Sequence, residues 1–276
     1  MNNIKPYYKN ELTTIYNGDC LEVMDYLIEQ DIKFDAIITS PPYDDIKNYN
    51  KTLEWNFEKF KKVSNRLYNL LKKGGVIIWV VGDKTSNGSE SLTSFKQAIY
   101  FNEIGLNLHD TMIYKKKNYT PLTHNRYEQE FEYIFCFSKG KPITFNPIKI
   151  PCTYAGTETF GKPSYYKTND DKPIKSKNKL IINDYKIKGN IFEYNTGSMF
   201  TGNINHPAMF PFGLAEDMIK SWTNKNDLIL ACFAGSFTTN VISEQLGRRS
   251  IGIELEQKYC NIGIKRLQSL QMRLDI

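Results

Sequence analysis

The 276-residue chain has three histidines and five cysteines, and none of them are grouped. Cys20, Cys136, Cys152, Cys232 and Cys260 form no Cys-x-x-Cys pair, which argues against a zinc centre or a disulfide framework. No run of about 18 apolar residues occurs, so no membrane span is expected. Met1 to Asn10 is polar and basic rather than an apolar leader, and the expected location is the cytoplasm. The Gly-x-Gly-x-x-Gly fingerprint is missing too, which counts against a nicotinamide or flavin enzyme. The net charge is a modest +6, but its placement is uneven. Between Lys141 and Asn205 ten lysines face five acidic residues, so this segment is the candidate contact for a polyanion.

What is present alternates strand-like apolar runs with helical periodicity, the pattern of an α/β domain. With 41% hydrophobic residues, a chain of this length can bury one full core and still carry an insertion. Thr13 to Asn17 reads as a strand closed by Gly18-Asp19-Cys20, and the following helix carries Leu21, Met24, Leu27 and Ile28 on one face. Asp19 thus stands where strand hands over to helix, as a cap, a ligand contact, or both. Phe60, Val63, Leu67 and Leu70 mark a second helix, with Lys72-Lys73-Gly74-Gly75 reading as its terminator. Val76 to Val81 has the continuous apolar character of a strand buried on both faces. A helix from about Leu92 to Ile104 follows. Then Asn107 to Tyr114 and Glu130 to Phe137 predict an antiparallel pair flanking a basic, aromatic loop.

From Gly140 to Asn205 this rhythm breaks, leaving only Leu180-Ile181-Ile182 and Ile191-Phe192-Glu193-Tyr194 as strand-like pieces. The stretch is too long for an ordinary connection and too aromatic for disorder. The expected division is therefore 1–140, an insert at 141–205, and 206–276.

Two stretches carry chemistry. Phe34-Asp35-Ala36-Ile37-Ile38-Thr39 is a strand that stops abruptly in Ser40-Pro41-Pro42-Tyr43. The two prolines hold the exit rigid and extended. The serine hydroxyl and a proline carbonyl can accept hydrogen bonds from a planar amine, and the tyrosine can stack on its ring. A plain rigid turn with a core tyrosine is the alternative for these residues alone. In the second stretch, Asp227 to Cys232 is a strand, Phe233-Ala234-Gly235-Ser236-Phe237-Thr238-Thr239 a small-residue loop, and Asn240 to Leu246 a helix. Ser250 to Leu255 is the next strand, and Glu254 near its tip lies about 20 residues beyond the loop, where an acidic residue binds a ribose diol.

Taken together, these two stretches resemble the S-adenosylmethionine-dependent amino-methyltransferases of DNA. Ser40-Pro41-Pro42-Tyr43 is similar to their catalytic loop, in the serine form typical of the cytosine-N4 enzymes. Phe233-Ala234-Gly235-Ser236-x-Thr238-Thr239 with Gly252-Ile253-Glu254-Leu255 is similar to their cofactor loop. The order, catalytic loop first and cofactor loop last, is that of the permuted β group. The resemblance implies a Rossmann-like class I sheet flanked by helices, circularly permuted, with 141–205 in the place of the target-recognition region. It implies that Glu254 binds the cofactor ribose, that Asp19 and Cys20 lie beside the adenine, and that His206-Pro207-Ala208-x-Phe210-Pro211 lines the methionine end. The implied activity is methyl transfer to cytosine N4 in double-stranded DNA by base flipping, and restriction-modification enzymes of this kind have a cognate endonuclease acting separately. Adenine N6 as acceptor is the alternative within the class, and an inactive DNA-binding module the alternative outside it. The chain is expected to be a monomer or homodimer. Two positions depart from the family pattern: Ala231-Cys232 replaces Asp-Pro, removing a carboxylate that would face the methionine ammonium, and Phe237 replaces a second glycine.

Overall fold

The computed structural model describes residues 4–42, 55–119, 125–160, 179–196 and 210–274. The chain begins with β1 (Tyr8–Lys9) and β2 (Thr13–Asn17), followed by α1 (Cys20–Glu29), β3 (Phe34–Thr39), α2 (Phe57–Leu70) and β4 (Leu71–Val81). A small hairpin, β5 (Thr85–Ser86) and β6 (Ser89–Glu90), precedes α3 (Thr93–Glu103), β7 (Asn107–Lys116) and β8 (Phe131–Ser138). Four short strands come next: β9 (Lys149–Pro151), β10 (Glu158–Phe160), β11 (Lys179–Ile181) and β12 (Tyr185–Ile187). The chain then forms β13 (Ile191–Tyr194), α4 (Phe212–Trp222), β14 (Leu228–Ala231), α5 (Thr238–Gln245), β15 (Arg249–Glu254) and α6 (Gln257–Leu274).

Nine strands among the described residues form one sheet in the order β1-β2-β15-β14-β3-β4-β8-β7-β13. β2, β15, β14, β3 and β4 run parallel, while β8 is antiparallel to both β4 and β7, giving the expected antiparallel pair. From β2 through α1 to β3 and through α2 to β4 the chain moves one way across the sheet, and from β14 through α5 to β15 it moves back. Right-handed crossovers therefore put α1 and α2 on one face and α5 on the other. The buried clusters agree. Val23, Met24, Leu27, Phe60, Val63 and Leu67 pack with Ile37, Ile77, Trp79, Leu230 and Ile253, whereas Phe237, Val241, Cys260 and Leu267 pack with Ile15. Val76 to Val81 is buried throughout, as its apolar run requires.

Lys72-Lys73-Gly74-Gly75 is not a loop that ends α2. The helix ends at Leu70, and these four residues already belong to β4. Gly74 has a φ of +81°, and a Cβ on Gly75 would lie 2.8 Å from the Asp35 carbonyl. Glycines thus let the chain pass from helix to strand with its backbone against β3, and the register shift between Phe34 and Ala36 absorbs the bend.

Pro147–Gly189 is a compact unit of its own, narrower than the 141–205 insert. Within it β9 pairs with β12 and β10 with β11, both antiparallel. β13, inside the expected insert by sequence, instead adds in parallel to β7 and covers that edge of the main sheet.

Candidate active site

In the sheet, β2, β15, β14 and β3 are consecutive neighbours and parallel, so their carboxyl ends lie side by side. Those ends lead into Asp19-Cys20, Glu254-Leu255, Phe233 to Ser236, and Ser40-Pro41-Pro42. Residues far apart in sequence are thus collected along one edge, the edge at which open parallel sheets bind ligands. Tyr43, His206 and Pro207 lie outside the described residues.

Ser40 is half-buried at the exit of β3, with Pro41 buried and Pro42 half-buried after it. Asp19 is the N-cap of α1: its backbone is extended, and its Oδ1 accepts from Leu21 N at 2.7 Å. Its Oδ2 accepts from Lys59 Nζ at 3.1 Å, so a lysine of α2 holds the carboxylate at this edge. Cys20 is buried, and burial with the nearby Asp19 charge pushes its thiol up to about 12, which keeps it protonated. It offers a small apolar surface rather than a nucleophile.

Glu254 is held from two sides. Its Oε2 accepts from Gly235 N and its Oε1 from Glu256 N, both at 2.9 Å. Burial outweighs these bonds and raises its carboxyl above the usual carboxylate range. Asn17 Nδ2 donates to the Glu254 and Leu255 carbonyls at 3.0 and 2.8 Å, and Gly18 N donates to the Glu254 carbonyl at 3.0 Å. The ends of β2 and β15 are therefore tied together, with the exposed Leu255 just beyond.

The loop after β14 is tied to β15 and turns back on itself: Ala234 N donates to the Ile253 carbonyl at 2.9 Å and Phe237 N to the Ala234 carbonyl at 2.7 Å. Gly235 and Phe237 have φ of +52° and +62°. Ser236 and Thr238 are buried, their hydroxyls 3.3 Å apart. The Phe233 ring stands edge-on to Trp55 and Trp79, with centroids 5.2 and 6.3 Å away.

The fit of a ribose-bearing cofactor turns on Glu254. A carboxylate has about four acceptor positions, and two backbone N–H groups occupy only part of that capacity, which leaves room for a diol. Among the described residues no group of three or more His, Cys, Asp or Glu side chains could hold a metal ion, and no helix is long and apolar enough to cross a membrane.

The departure at Phe237 has a physical account. Phe237 occupies a left-handed backbone position that favours glycine, and its fully buried ring fills the space beside two other glycines. A Cβ on Gly252 would lie 2.6 Å from Phe237 Cε1, and one on Gly263 2.4 Å from Cδ2. The bulk gained at 237 is matched by side chains absent at 252 and 263. Ala231 and Cys232 are buried at the end of β14, and burial raises the Cys232 thiol well above its ordinary value. Position 231 therefore brings no negative charge to the edge.

Lys59, Trp55 and Asn17 carry no signal in the sequence that singles them out. Lys59 is 40 residues from Asp19, and nothing in the local pattern of α2 distinguishes it from its other lysines.

The DNA methylase model of the N6/N4 methyltransferases matches residues 34–265, a span running from β3 into α6. The orphan methyltransferase M.BamHII of Bacillus amyloliquefaciens is 40% identical over 87% of this chain and 90% of its own length. The DNA adenine methyltransferase YhdJ of Escherichia coli K12 is 27% identical over 94% of this chain and 84% of its own. Among solved structures, the cytosine-N4-specific PvuII DNA methyltransferase superposes with a TM-score of 0.69 at 19% identity, covering 96% of this chain and 89% of that one. The model match spans the Ser-Pro-Pro exit of β3 and the Glu254 strand alike, and M.BamHII is 40% identical over most of both chains: this chain belongs to the DNA methylase family of N6/N4 methyltransferases.

Proposed function

We propose that the protein transfers a methyl group to the exocyclic N4 of cytosine in double-stranded DNA, with S-adenosylmethionine as donor. The observation that carries this reading is the adjacency of β3 and β14, which sets the Ser40-Pro41-Pro42 exit next to the loop held by Glu254. A catalytic loop and a cofactor loop on neighbouring parallel strands can bring amine and donor together without any large rearrangement.

When bound, S-adenosylmethionine supplies an electrophilic methyl group. Glu254 would hold its ribose hydroxyls, Asp19 and Cys20 would flank the adenine, and Phe233 to Thr238, with His206 and Pro207, would line the methionine end. The base must leave the duplex to reach the edge, at a cost of a few kcal/mol. The Ser40 hydroxyl and a proline carbonyl would accept the two hydrogens of its amine. That turns the nitrogen lone pair out of conjugation and along the line of attack, while Tyr43 stacks on the ring. The acceptor is neutral, so the amine is oriented rather than deprotonated in advance. The carbon–sulfur bond of the donor would break as the carbon–nitrogen bond forms, the sulfur keeping the pair, and one of the two amine hydrogens would then leave as a proton to solvent.

The 141–205 segment serves in this reading as the target-recognition region, its lysine excess matched to phosphates. The preference for N4 rests on Ser40 before Pro41-Pro42, joined by the His206-Pro207-Ala208-x-Phe210-Pro211 stretch. Adenine N6 is the second reading, and the similarity to YhdJ favours it. Both amines flank a ring nitrogen, and one loop geometry can serve either. The test is to incubate the protein with unmodified duplex DNA and methyl-labelled cofactor, digest to nucleosides, and separate these by chromatography with mass detection. Label in N4-methyldeoxycytidine is expected. Label in N6-methyldeoxyadenosine alone would overturn the N4 assignment, and no transfer at all would favour an inactive DNA-binding module.

A further inference from the structure

Arg266 lies on α6, thirty residues beyond the loop it touches. Its Nη1 donates to the Ser236 carbonyl and, at 3.3 Å, to Thr238 Oγ1, and its guanidinium carbon sits 4.9 Å from the centre of the Phe212 ring. Its Nη2 is buried with no hydrogen-bond partner among the described residues, and none of the ion pairs there involves Arg266. Burial pushes its guanidinium down to about 10. A cation placed in low dielectric with no carboxylate beside it among the described residues is costly, and what offsets that cost there is the Phe212 ring together with the Ser236 carbonyl and Thr238 hydroxyl.

What it holds is a loop that would not keep its shape alone. Gly235 and Phe237 both have positive φ, and Phe237, the residue before α5, makes no side-chain cap for the helix. Such backbone persists only where its surroundings over-determine it. Glu254 takes Gly235 N on one side of the loop, and Arg266 takes the next residue's carbonyl from α6. The two contacts grip successive residues at the entrance of α5.

We propose that Arg266 is a positioning residue of the cofactor loop, acting through Ser236 and Thr238 to hold Gly235 to Thr238 in its binding shape. Arg266 itself need not touch the cofactor. This rests on the reading of that loop as the S-adenosylmethionine site, and the experiment separates the two. Calorimetric titration of the full chain with S-adenosylmethionine compares wild type, Arg266→Met, Arg266→Lys and Glu254→Ala. Arg266→Met is expected to bind on the order of tenfold more weakly, the size of one charge-assisted hydrogen bond. Arg266→Lys should recover part of that loss. In turnover, KM for the cofactor should rise while kcat at saturating cofactor and KM for DNA stay in place. Wild-type affinity in Arg266→Met overturns the proposal, as does an equal loss of DNA and cofactor affinity, which marks a merely structural role. If the methionine variant fails to fold, wild-type affinity in Arg266→Lys overturns it instead. Glu254→Ala that binds like wild type removes the loop from the cofactor site and the proposal with it. Loss in Glu254→Ala with none in either Arg266 variant overturns the positioning role alone.

Discussion

Adding one methyl group at Gly263 tests the account of Phe237. Gly263 lies inside α6, where glycine to alanine ordinarily gains about 1 kcal/mol. Here the new Cβ would sit 2.4, 2.5 and 2.9 Å from Cδ2, Cγ and Cβ of Phe237. Those atoms are the root of the ring rather than a flexible end, so relief requires a shift of the α5 entrance or of α6. Overpacking of this kind costs about 1 to 3 kcal/mol, and the short distances argue for the upper half of that range. Set against the propensity gain, Gly263→Ala should destabilise the protein by about 1 to 2 kcal/mol. Phe237→Gly should cost about 2 to 4 kcal/mol, since loss of a buried ring is offset by relief of the positive φ. In that background the clash is gone and Gly263→Ala should stabilise by about 1 kcal/mol. The coupling across the cycle is then about 2 to 3 kcal/mol, well above the additivity error of roughly 0.5. Urea unfolding of the four proteins measures it. A stabilising Gly263→Ala in the presence of Phe237, or effects that simply add, would refute the idea that the two glycines make room for the ring.

Two further outcomes follow from the edge itself. Ser40→Ala should lower methyl transfer on the order of a hundredfold by removing one aligned acceptor, with cofactor and DNA affinity retained; filter binding and single-turnover rates would show this, and undiminished turnover would take Ser40 out of the reaction. Burial raises the Glu254 carboxyl, so its protonated form is favoured in the folded protein: this residue's contribution to stability is greatest below the ordinary glutamate range and is lost as pH rises through its raised value. Cofactor binding runs the other way, because the ionised carboxylate is the better acceptor for the ribose diol. Affinity should therefore begin to fall on acidification above the ordinary glutamate range, and Glu254→Gln should bind more weakly but with a flattened pH profile. Calorimetry across the acid range with wild type following an unshifted carboxylate would contradict this.

What the sequence by itself determined is local. The apolar run from Val76 to Val81 has no polar face to leave in water, so it had to be a buried strand. Pro41-Pro42 removes two backbone donors and ends β3 whatever surrounds it. Asp19 follows a strand and opens a helix, and its short carboxylate caps that helix as residue type and position require. The spacing of Gly235 and Glu254 is likewise a one-dimensional quantity, but that the Glu254 carboxylate accepts from Gly235 N is seen only in the fold. Tertiary structure decided which strand ends are neighbours, because the hydrogen-bond ladder that sets β14 between β15 and β3 joins residues roughly 200 apart in sequence or separated by a helix. It also decided that β13 closes the β7 edge, that Lys59 meets Asp19, and that Arg266 meets Ser236. Long flexible side chains carry no periodicity to announce their partner, and only the packing of α2 on α1 and of α6 on α5 brings them within reach. Phe237 shows the same division: the sequence displays a bulky residue where the family has glycine, but only the folded core shows that Gly252 and Gly263 leave a ring-sized space for it, since volume is conserved in three dimensions and not along the chain.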